Sequence, residues 1–263
     1  LSQSGETLDT LEGLKEAKRN GAKVLAITNV VGSSIAREAD NVVYTWAGPE
    51  IAVASTKAYT TQMVILYLIA IDMAYKFGKM TREEYVQDID DLYALRPLVE
   101  KMLTYNKQIK EIANVVKISH SMFYLGRGLD FLIAVEGALK SKEISYIHSE
   151  AFASGELKHG TIALIEEGVP VIINLTQESL IEKSISNIKE VAARGAYIIA
   201  VATEGTPMID EAANEVFYIP KVKDENTGFL TIIIHQLMAY YLSALKGLDV
   251  DKPRNLAKSV TVE

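Results

Sequence analysis

One segment of the chain, residues 136–160, concentrates side chains suited to proton transfer. Lys140 and Glu143 are three residues apart in a stretch that reads as a helix, so both project from one helix face. A carboxylate beside an ammonium group can move a proton between adjacent carbon atoms. The same spacing is also typical of an ion pair on a solvated helix surface, and the pattern alone favours that alternative.

The segment ends in a charged turn, in which His159 lies between Gly155 and Gly160. The imidazole of histidine titrates near neutral pH, which suits acid–base chemistry. A purely structural turn explains the two glycines equally well, so both interpretations of His159 stay open.

A second candidate is the hydroxyl-rich loop at residues 2–7, with the sequence SQSGET. It is predicted to lie where a strand ends and a helix begins. Free N–H groups, the positive end of the helix dipole and hydroxyl donors together suit a phosphate dianion. The alternative is an ordinary helix cap formed by Ser4 with Thr7 nearby.

The polar tail, residues 251–263, contains Lys258. A desolvated lysine can form an imine with a carbonyl substrate. A tail of this polarity is more typically disordered, in which case Lys258 is solvated and inert. Residues 260–262 (VTV) favour an extended end.

A fourth candidate segment is residues 50–59, with the sequence EIAVASTKAY. Ser55 and Thr56 precede a long apolar stretch that reads as a helix. Their hydroxyl groups are therefore predicted to cap that helix.

Composition and motif spacing argue against several classes of protein. The formal net charge of -7 argues against nucleic acid as the main partner, because phosphate backbones require a basic surface. The chain has no cysteine, which excludes disulfides, thiolate metal sites and a cysteine nucleophile. No spacing resembles a metal site, and the fragment Gly126-Arg127-Gly128 lacks the rest of a dinucleotide fingerprint. We expect neither a metal nor NAD nor any other cofactor.

No membrane segment is predicted. The longest apolar stretch, residues 63–74, is interrupted by Asp72 and is too short to span a bilayer. The chain opens without a secretory signal. A cytoplasmic location is therefore expected.

Helices and strands alternate along the chain. Strands are predicted at 23–28, 41–44, 122–125, 169–175, 196–202 and 215–219. Helices are predicted at 7–20, 55–77, 135–146 and 235–246, with a helical connector at 80–117 that breaks at Pro97. Short apolar strands between helices imply parallel sheets covered on both faces.

An internal repeat organises these elements. A shift of 174 residues aligns the chain with itself without a gap. Gly21 falls on Gly195, and the strand VLAI at Val24 falls on IIAV at Ile198. The common offset predicts two copies of one doubly wound α/β domain.

The repeat also predicts that the first copy is incomplete. In the second copy, the strands near 122 and 169 have counterparts that would precede Leu1. A sheet without two inner strands has unpaired backbone groups and an open core. We therefore expect the natural polypeptide to be longer at its amino end.

The chain resembles the family of glutamine–fructose-6-phosphate aminotransferase (isomerizing), in four segments along its whole length. These are SQSGET at 2–7, AGPEIAVASTKAYTTQ at 47–62, EGALKSKEISYIHSEAFASGELKHG at 136–160 and DKPRNLAKSVTVE at 251–263. The tail and KEISYIHSE are specific, whereas SQSGET marks the broader class of sugar-isomerase (SIS) domains. The resemblance implies two doubly wound, parallel-sheet, flavodoxin-like SIS domains. Thr161 departs from the family, many members of which have proline there.

The resemblance implies conversion of fructose 6-phosphate and ammonia to glucosamine 6-phosphate, by an imine and enolamine ketose–aldose isomerisation. Lys258 would form the imine with the open ketose, and Glu143 would move the proton between C1 and C2. Lys140 would assist proton transfer at the sugar oxygens. His159 would promote ring opening from a neighbouring subunit.

Substrate-binding residues are implied in the same way. The phosphate group would be held by Ser2, Gln3, Ser4 and Thr7. Val53 and Ser55 would line the sugar site, and Ala257 would pack beside the imine-forming lysine.

Four regions are predicted: a truncated first SIS domain at 1–79, the connector at 80–117, a second SIS domain at 118–249, and a tail at 250–263 that contributes to the active site. The resemblance also implies an amino-terminal glutaminase domain in the full-length chain and a homodimer or higher oligomer.

Two other functions remain open. A different SIS enzyme, such as a fructosamine-phosphate deglycase, would share the SQSGET loop, but the terminal tail argues against it. A non-catalytic sugar-phosphate sensor would not need Lys140, Glu143, His159 and Lys258 together.

Overall fold

The computed structural model describes residues 1–259 of the chain, so the predicted extended end at 260–262 lies outside the described residues. Two compact units are present. The first comprises Leu1–Tyr93 together with the tail from Asp251, and the second is Ala94–Val250. The boundary after Tyr93 falls inside the predicted connector at 80–117, and the tail joins the first unit.

The first unit alternates helices and strands around a small core. Its elements are α1 (Leu8–Arg19), β1 (Leu25–Thr28), α2 (Ser34–Glu38), β2 (Asn41–Tyr44) and α3 (Lys57–Lys76). The two strands are parallel, and Ser2 forms an isolated parallel bridge with Thr28 at the end of β1. Leu14, Ala26 and Ile35 form the buried centre, which joins one face of α1 to the sheet.

Two helices follow, α4 (Arg82–Leu103) and α5 (Asn106–Val116). The predicted break at Pro97 is wrong, because α4 runs through this residue and the chain breaks at 104–105 instead. Proline has a φ that suits a helix, but it has no N–H to donate to the carbonyl of the preceding turn. A proline inside a helix therefore costs about 3 kcal/mol. Leu95 and Met102 flank Pro97 and are buried, and their burial offsets that cost.

The second unit contains a five-stranded parallel sheet with the strand order β4-β3-β5-β6-β7. Its elements are β3 (Ser121–Gly126), α6 (Leu129–Ser145), β4 (His148–Ala153), β5 (Pro170–Leu175), α7 (Ile181–Ala192), β6 (Tyr197–Thr203), α8 (Ile209–Ala212), β7 (Glu215–Ile219) and α9 (Thr227–Leu245). Every residue of β5 is buried, as expected for the central strand of a sheet covered on both faces.

The strand register supports the predicted duplication. In the first unit Leu25 pairs with Asn41, and in the second unit Ile199 pairs with Glu215, which is the same pair displaced by 174 residues. The polar contact before each pair is also repeated. Asp40 Oδ2 accepts the N–H of Val24 at 2.8 Å, while Asn214 Oδ1 accepts that of Ile198 at 2.7 Å.

Three elements of the second unit depart from the sequence prediction. Helix α6 begins at Leu129, six residues before its predicted start at 135. Strand β4 (HSEAFA) is not predicted, because it has no β-branched residue and pairs only with β3 at the sheet edge. Helix α9 begins eight residues earlier than predicted, at Thr227. Its first turns (TGFLTIII) are buried almost all round, so they show no amphipathic period.

Within residues 1–259, two helical stretches are long and apolar enough to cross a membrane, judged by length and composition alone. One is α3, and 11% of its apolar window is buried. The apolar stretch at 63–74 therefore lies within a longer helix, Lys57–Lys76. The other is Asp224–Leu245, which is 61% buried. The buried core helices of soluble proteins meet the same criterion, so two such stretches are weak support for a membrane segment.

Candidate active site

The turn between β3 and α6 brings the helix close to the sheet. A Cβ atom on Gly126 would lie 2.4 Å from the carbonyl carbon of Asp130. Gly128 has a φ of 56°, a left-handed conformation that favours glycine. Local packing of this turn therefore accounts for both glycines of the Gly126-Arg127-Gly128 fragment.

Lys140 lies on α6 between two carboxylates. Its Nζ is 2.7 Å from Glu143 Oε2 and 3.4 Å from Glu136 Oε1. The Lys140 side chain is only 7% exposed, so the alternative of a solvated ion pair is wrong. One ammonium group between two carboxylates leaves a net negative charge, and the cluster can therefore accept a proton.

Glu136 is a member of this cluster that the sequence prediction missed. Burial raises the pKa of its carboxyl, against the opposing effect of Lys140, and the charge of Glu143 adds to the rise. The spacing of Glu136 and Lys140, four residues apart on a helix, was available as a signal.

Gly137 allows α6 to approach α9 and β3. A Cβ atom at this position would lie 2.8 Å from His235 Cγ and 3.0 Å from Tyr124 Cε1. The Tyr124 hydroxyl is 2.6 Å from Ser141 Oγ, and its ring packs edge-on against His235. These contacts fix the rotation of α6 and hence the direction in which Lys140 and its partners project.

His159 ends a short 3₁₀ helix, Leu157–His159, and its side chain is exposed. Leu157 is 2% exposed and holds this turn on the core of the second unit. Gly160 has a φ of 145°, so the glycine after His159 is required by the backbone. Among the described residues of this unit, no ion pair or hydrogen bond links His159 to the Lys140 cluster.

The hydroxyl-rich loop at 2–7 lies at the carboxyl end of β1. Ser2 Oγ accepts the N–H of Gly5 at 2.9 Å, and Ser4 Oγ accepts the N–H of Glu6 at 3.2 Å. The loop is therefore a tight turn at the edge of a parallel sheet where doubly wound domains bind ligands.

The alternative of an ordinary helix cap does not hold for this loop. Thr7 is the N-cap residue of α1, and its side chain makes no capping hydrogen bond. The amino end of α1 therefore lacks a side-chain cap, which leaves its N–H groups for an anion. Gly5 has a φ of 67°, and a Cβ there would lie 2.5 Å from Ser33 Cβ, so the turn requires glycine.

The tail brings Lys258 to the segment before α3. Lys258 Nζ donates hydrogen bonds to Ala52 O at 2.5 Å and to Ser55 Oγ at 2.8 Å. The next residue, Ser259, places its Oγ 3.3 Å from Ser4 Oγ. Within the first unit, Lys258 is therefore half-buried and held beside the hydroxyl-rich loop, and the alternative of a solvated lysine is wrong.

The predicted cap of α3 is wrong in its residues. The N-cap Thr56 makes no side-chain cap, and the Ser55 hydroxyl instead accepts from Lys258. The carboxylate of Glu50 takes the capping position, where Oε2 accepts the N–H of Ala58 at 2.9 Å and that of Thr56 at 3.3 Å. A carboxylate there also complements the positive end of the helix dipole.

The remaining candidates lie near these groups along the chain. Val53 is half-buried, and its N–H donates to Asp251 O at 2.9 Å, which ties the start of the tail to the segment before α3. Ala257 is exposed. Gln3 is half-buried and accepts the N–H of Asn29 at 3.2 Å through its backbone carbonyl.

Within residues 1–259, no group of three or more histidine, aspartate or glutamate side chains is arranged to hold a metal ion. The groups that the two units do supply are an amine, hydroxyls, backbone N–H groups and carboxylates. The groups of the first unit can bind an anion and condense with a carbonyl, and those of the second unit can transfer protons.

Comparison with known proteins places the chain in a family. The sequence profile of the SIS domain matches residues 1–72 and 117–246. The gap between the two matched regions contains α4 and α5.

The chain is 57% identical over its whole length to glutamine–fructose-6-phosphate aminotransferase (isomerizing) from Caldanaerobacter subterraneus subsp. tengcongensis. It is 56% identical over its whole length to the corresponding protein of Clostridium tetani. The chain spans 43% of the length of each of these relatives.

A solved structure is similar over most of the chain. It is the C-terminal domain of glucosamine-fructose-6-phosphate aminotransferase from Francisella tularensis, with a TM-score of 0.91 and 39% identity. The match covers 95% of this chain and 71% of that structure. The chain therefore belongs to the SIS domain family and, within it, to the family of the C-terminal domain of glutamine–fructose-6-phosphate aminotransferase.

Proposed function

We propose that the chain is the sugar-isomerising part of an enzyme that converts fructose 6-phosphate and ammonia to glucosamine 6-phosphate. The single observation that carries this proposal is the placement of Lys258. Its amine lies beside Ser55, and Ser259 links the tail to the hydroxyl-rich loop through Ser4. An imine-forming group and an anion-binding loop thus meet in one unit.

Phosphate binding is assigned to Ser2, Gln3, Ser4 and Thr7. Their hydroxyls and the uncapped N–H groups of α1 offer donors to a dianion without a basic side chain. This arrangement is compatible with a net charge of -7, because a few backbone N–H groups can bind one phosphate. Val53 and Ser55 are assigned to the lining of the sugar site, and Ala257 is assigned to a position beside Lys258.

The amine of Lys258 adds to the C2 carbonyl of the open ketose, and water leaves as the imine forms. Ammonia then replaces the lysine at C2. Glu143 takes a proton from C1 to give the enolamine and returns it to C2, which leaves an aldehyde at C1 and an amine at C2. Lys140 assists the accompanying proton transfer at the sugar oxygens.

Lys140 Nζ lies 2.7 Å from Glu143 Oε2 and so orients the carboxylate that is assigned as the general base. Glu136 contacts the same ammonium group of Lys140 and helps to hold it beside Glu143. His159 is assigned to ring opening, from a neighbouring subunit. A homodimer or larger assembly and a cytoplasmic location belong to the same proposal, as does a glutaminase domain that supplies the ammonia.

Calorimetric titration of fructose 6-phosphate into the 263-residue chain tests the binding part of this proposal. We expect saturable binding that is lost in Ser4→Ala, and no binding of fructose without its phosphate. Glu143→Gln should bind as well as the wild type and show no turnover. Equal binding of fructose and fructose 6-phosphate would refute the phosphate assignment.

A further inference from the structure

Asp130 is a buried carboxylate in the first turn of α6 that the catalytic proposal does not use. It is 2% exposed. Its Oδ2 accepts the N–H of Thr176 at 2.8 Å and that of Gln177 at 3.3 Å, and its Oδ1 accepts the Thr176 hydroxyl at 2.5 Å. The loop after β5 therefore binds a carboxylate through two backbone N–H groups and one hydroxyl.

The two backbone N–H groups can only donate, so this loop is built for an acceptor. Burial raises the pKa of Asp130, and hydrogen bonds from Thr176 and Gln177 oppose that rise, whereas the charge of Asp224 adds to it. Without these donors, a carboxylate buried to this extent would be left unsatisfied at a large cost.

The first unit has a loop with the same pair of residue types at the equivalent position. By the offset of 174 residues, Thr176 and Gln177 correspond to Ser2 and Gln3. In both copies, this position therefore has a hydroxyl-bearing residue followed by glutamine. The first copy is the loop assigned to substrate phosphate. In the second copy, a side chain of the same domain fills the loop.

We propose that Asp130 is a tethered anion, which occupies in the second domain the loop that binds phosphate in the first, and which positions the amino end of α6. The part of this inference that concerns phosphate rests on the proposed function. The part that concerns Asp130 stands on the contacts of the second unit alone. It follows that, of the two equivalent loops, only the first is open to a sugar phosphate.

The position of Asp130 matters because α6 also carries Lys140 and its carboxylate partners. The backbone carbonyl of Asp130 accepts a hydrogen bond from Asn174 Nδ2 at 3.1 Å, and Asn174 Oδ1 lies 3.0 Å from His235 Nε2. Side chain and backbone of one residue thus fix the start of α6 to the end of β5 and, through Asn174, to α9. Asp130 is a positioning residue in this scheme, since it touches no substrate.

Chemical rescue by a small anion tests the proposal. Asp130→Ala removes the carboxylate and leaves a space lined by the two N–H groups and the Thr176 hydroxyl. We expect its Tm to fall by roughly 10 °C, as for the loss of a buried, hydrogen-bonded charge. Sodium formate in the tens of millimolar should restore at least half of that loss, because an anion that binds only the folded state stabilises it.

Three controls accompany this measurement. Sodium chloride at equal ionic strength should not restore the Tm of Asp130→Ala. Formate should not change the Tm of Asp130→Asn, in which the amide fills the space. Asn174→Ala is the matched variant, because it also removes a buried polar side chain at the end of the sheet but opens no anion-binding loop, and formate should not stabilise it.

The proposal is overturned if formate fails to stabilise Asp130→Ala, or if it stabilises Asn174→Ala to the same extent. If Asp130→Ala does not fold on expression, its refolding yield from urea is compared in formate and in chloride. A higher yield in formate supports the proposal, and equal yields overturn it.

Turnover separates positioning from general stability. Where the wild type aminates fructose 6-phosphate, Asp130→Ala should lose kcat by about 10-fold or more with little change in KM, and formate should restore kcat. If formate restores the Tm of Asp130→Ala but not its kcat, the proposal that Asp130 positions α6 for catalysis is overturned. The Tm measurement needs no turnover. The effect of formate on the Tm of Asp130→Ala would therefore still test the tethered anion if the proposed function failed.

Discussion

At the scale of single residues, Lys140 carries its charge into a site that is almost closed to solvent. A buried ammonium group is stable only when charged or polar partners replace its water shell. Glu136 and Glu143 provide that replacement from the preceding and following turns of the same helix. The cluster is therefore interdependent, and removal of its cation leaves two half-buried carboxylates without their shared partner.

Lys140→Met should lower the free energy of unfolding by roughly 3–5 kcal/mol, because it leaves the two carboxylates unpaired. Urea unfolding monitored by circular dichroism measures this loss. Lys142→Met is the matched control on the same helix, and since Lys142 is exposed it should change stability by no more than about 0.5 kcal/mol. Equal losses in the two variants would contradict the buried-cluster account.

His235 makes stability depend on pH. Burial lowers its pKa to about 3, so the ring is neutral in the folded state down to strongly acidic pH. The unfolded chain binds a proton near the ordinary pKa of about 6.5, and stability therefore falls as the pH drops below that value toward 3.

Between pH 7 and pH 5, this effect should remove roughly 2 kcal/mol from the free energy of unfolding of the wild type. His235→Asn cannot take up that proton, so its own loss over the same interval should be smaller by that amount. Urea unfolding at the two pH values, for both proteins, gives the difference. Identical pH dependence would show that His235 is not held neutral.

At the scale of elements, α6 is the part of the second unit on which the candidate chemistry depends. Asp130 fixes its first turn, Gly137 lets its middle approach α9, and the Lys140 cluster occupies its last turns. Since a helix is rigid over this length, a displacement at Gly137 is transmitted to Lys140 and Glu143, which lie within two turns.

Gly137→Ala tests this coupling. Its Cβ would lie 2.8 Å from His235 Cγ, so α6 must shift, and we expect lower Tm together with a fall in kcat of at least 10-fold. Gly13→Ala on α1 is the matched control, because nothing lies within 4 Å of its Cβ. That variant should be neutral or more stable by up to about 1 kcal/mol. A kcat for Gly137→Ala equal to that of the control would contradict the coupling.

The sequence predicted most strands of this fold because their apolar runs are short and bounded by turn residues. The spacing of Lys140 and Glu143 placed them on one helix face, but the pattern favoured a solvated surface for that face. The burial of Lys140 depends on the contact of Gly137 with His235, which is far away in the sequence. The cap of α3 could not be found locally, because Glu50 reaches it from outside the helix.

The contact between Lys258 and Ser55 joins residues 203 positions apart, and no local pattern reports such a pair. The sequence left imine formation and a solvated tail as alternatives for this lysine, and the family resemblance favoured imine formation. Strand β4 was missed because it has no β-branched residue and its pairing with β3 depends on the sheet.

At the scale of the whole molecule, the two copies of the duplicated domain share a strand pattern but differ in the side chains they carry. Both copies keep the strand register and the polar contact that precedes it. In the first copy, the hydroxyl-rich loop at 2–7 lies beside the tail that carries Lys258. In the second copy, the equivalent loop after β5 is filled by the side chain of Asp130. The proposed function assigns phosphate binding to the first copy and proton transfer to the second.

The central claim is that Lys258 is the amine that condenses with the sugar. Reduction by sodium borohydride in the presence of fructose 6-phosphate converts such an imine to a stable secondary amine, which peptide mass spectrometry locates. The account predicts a sugar phosphate adduct on Lys258 of the wild type and no adduct in Lys258→Arg. An adduct on another lysine, or equal labelling of the wild type and Lys258→Arg, would contradict it.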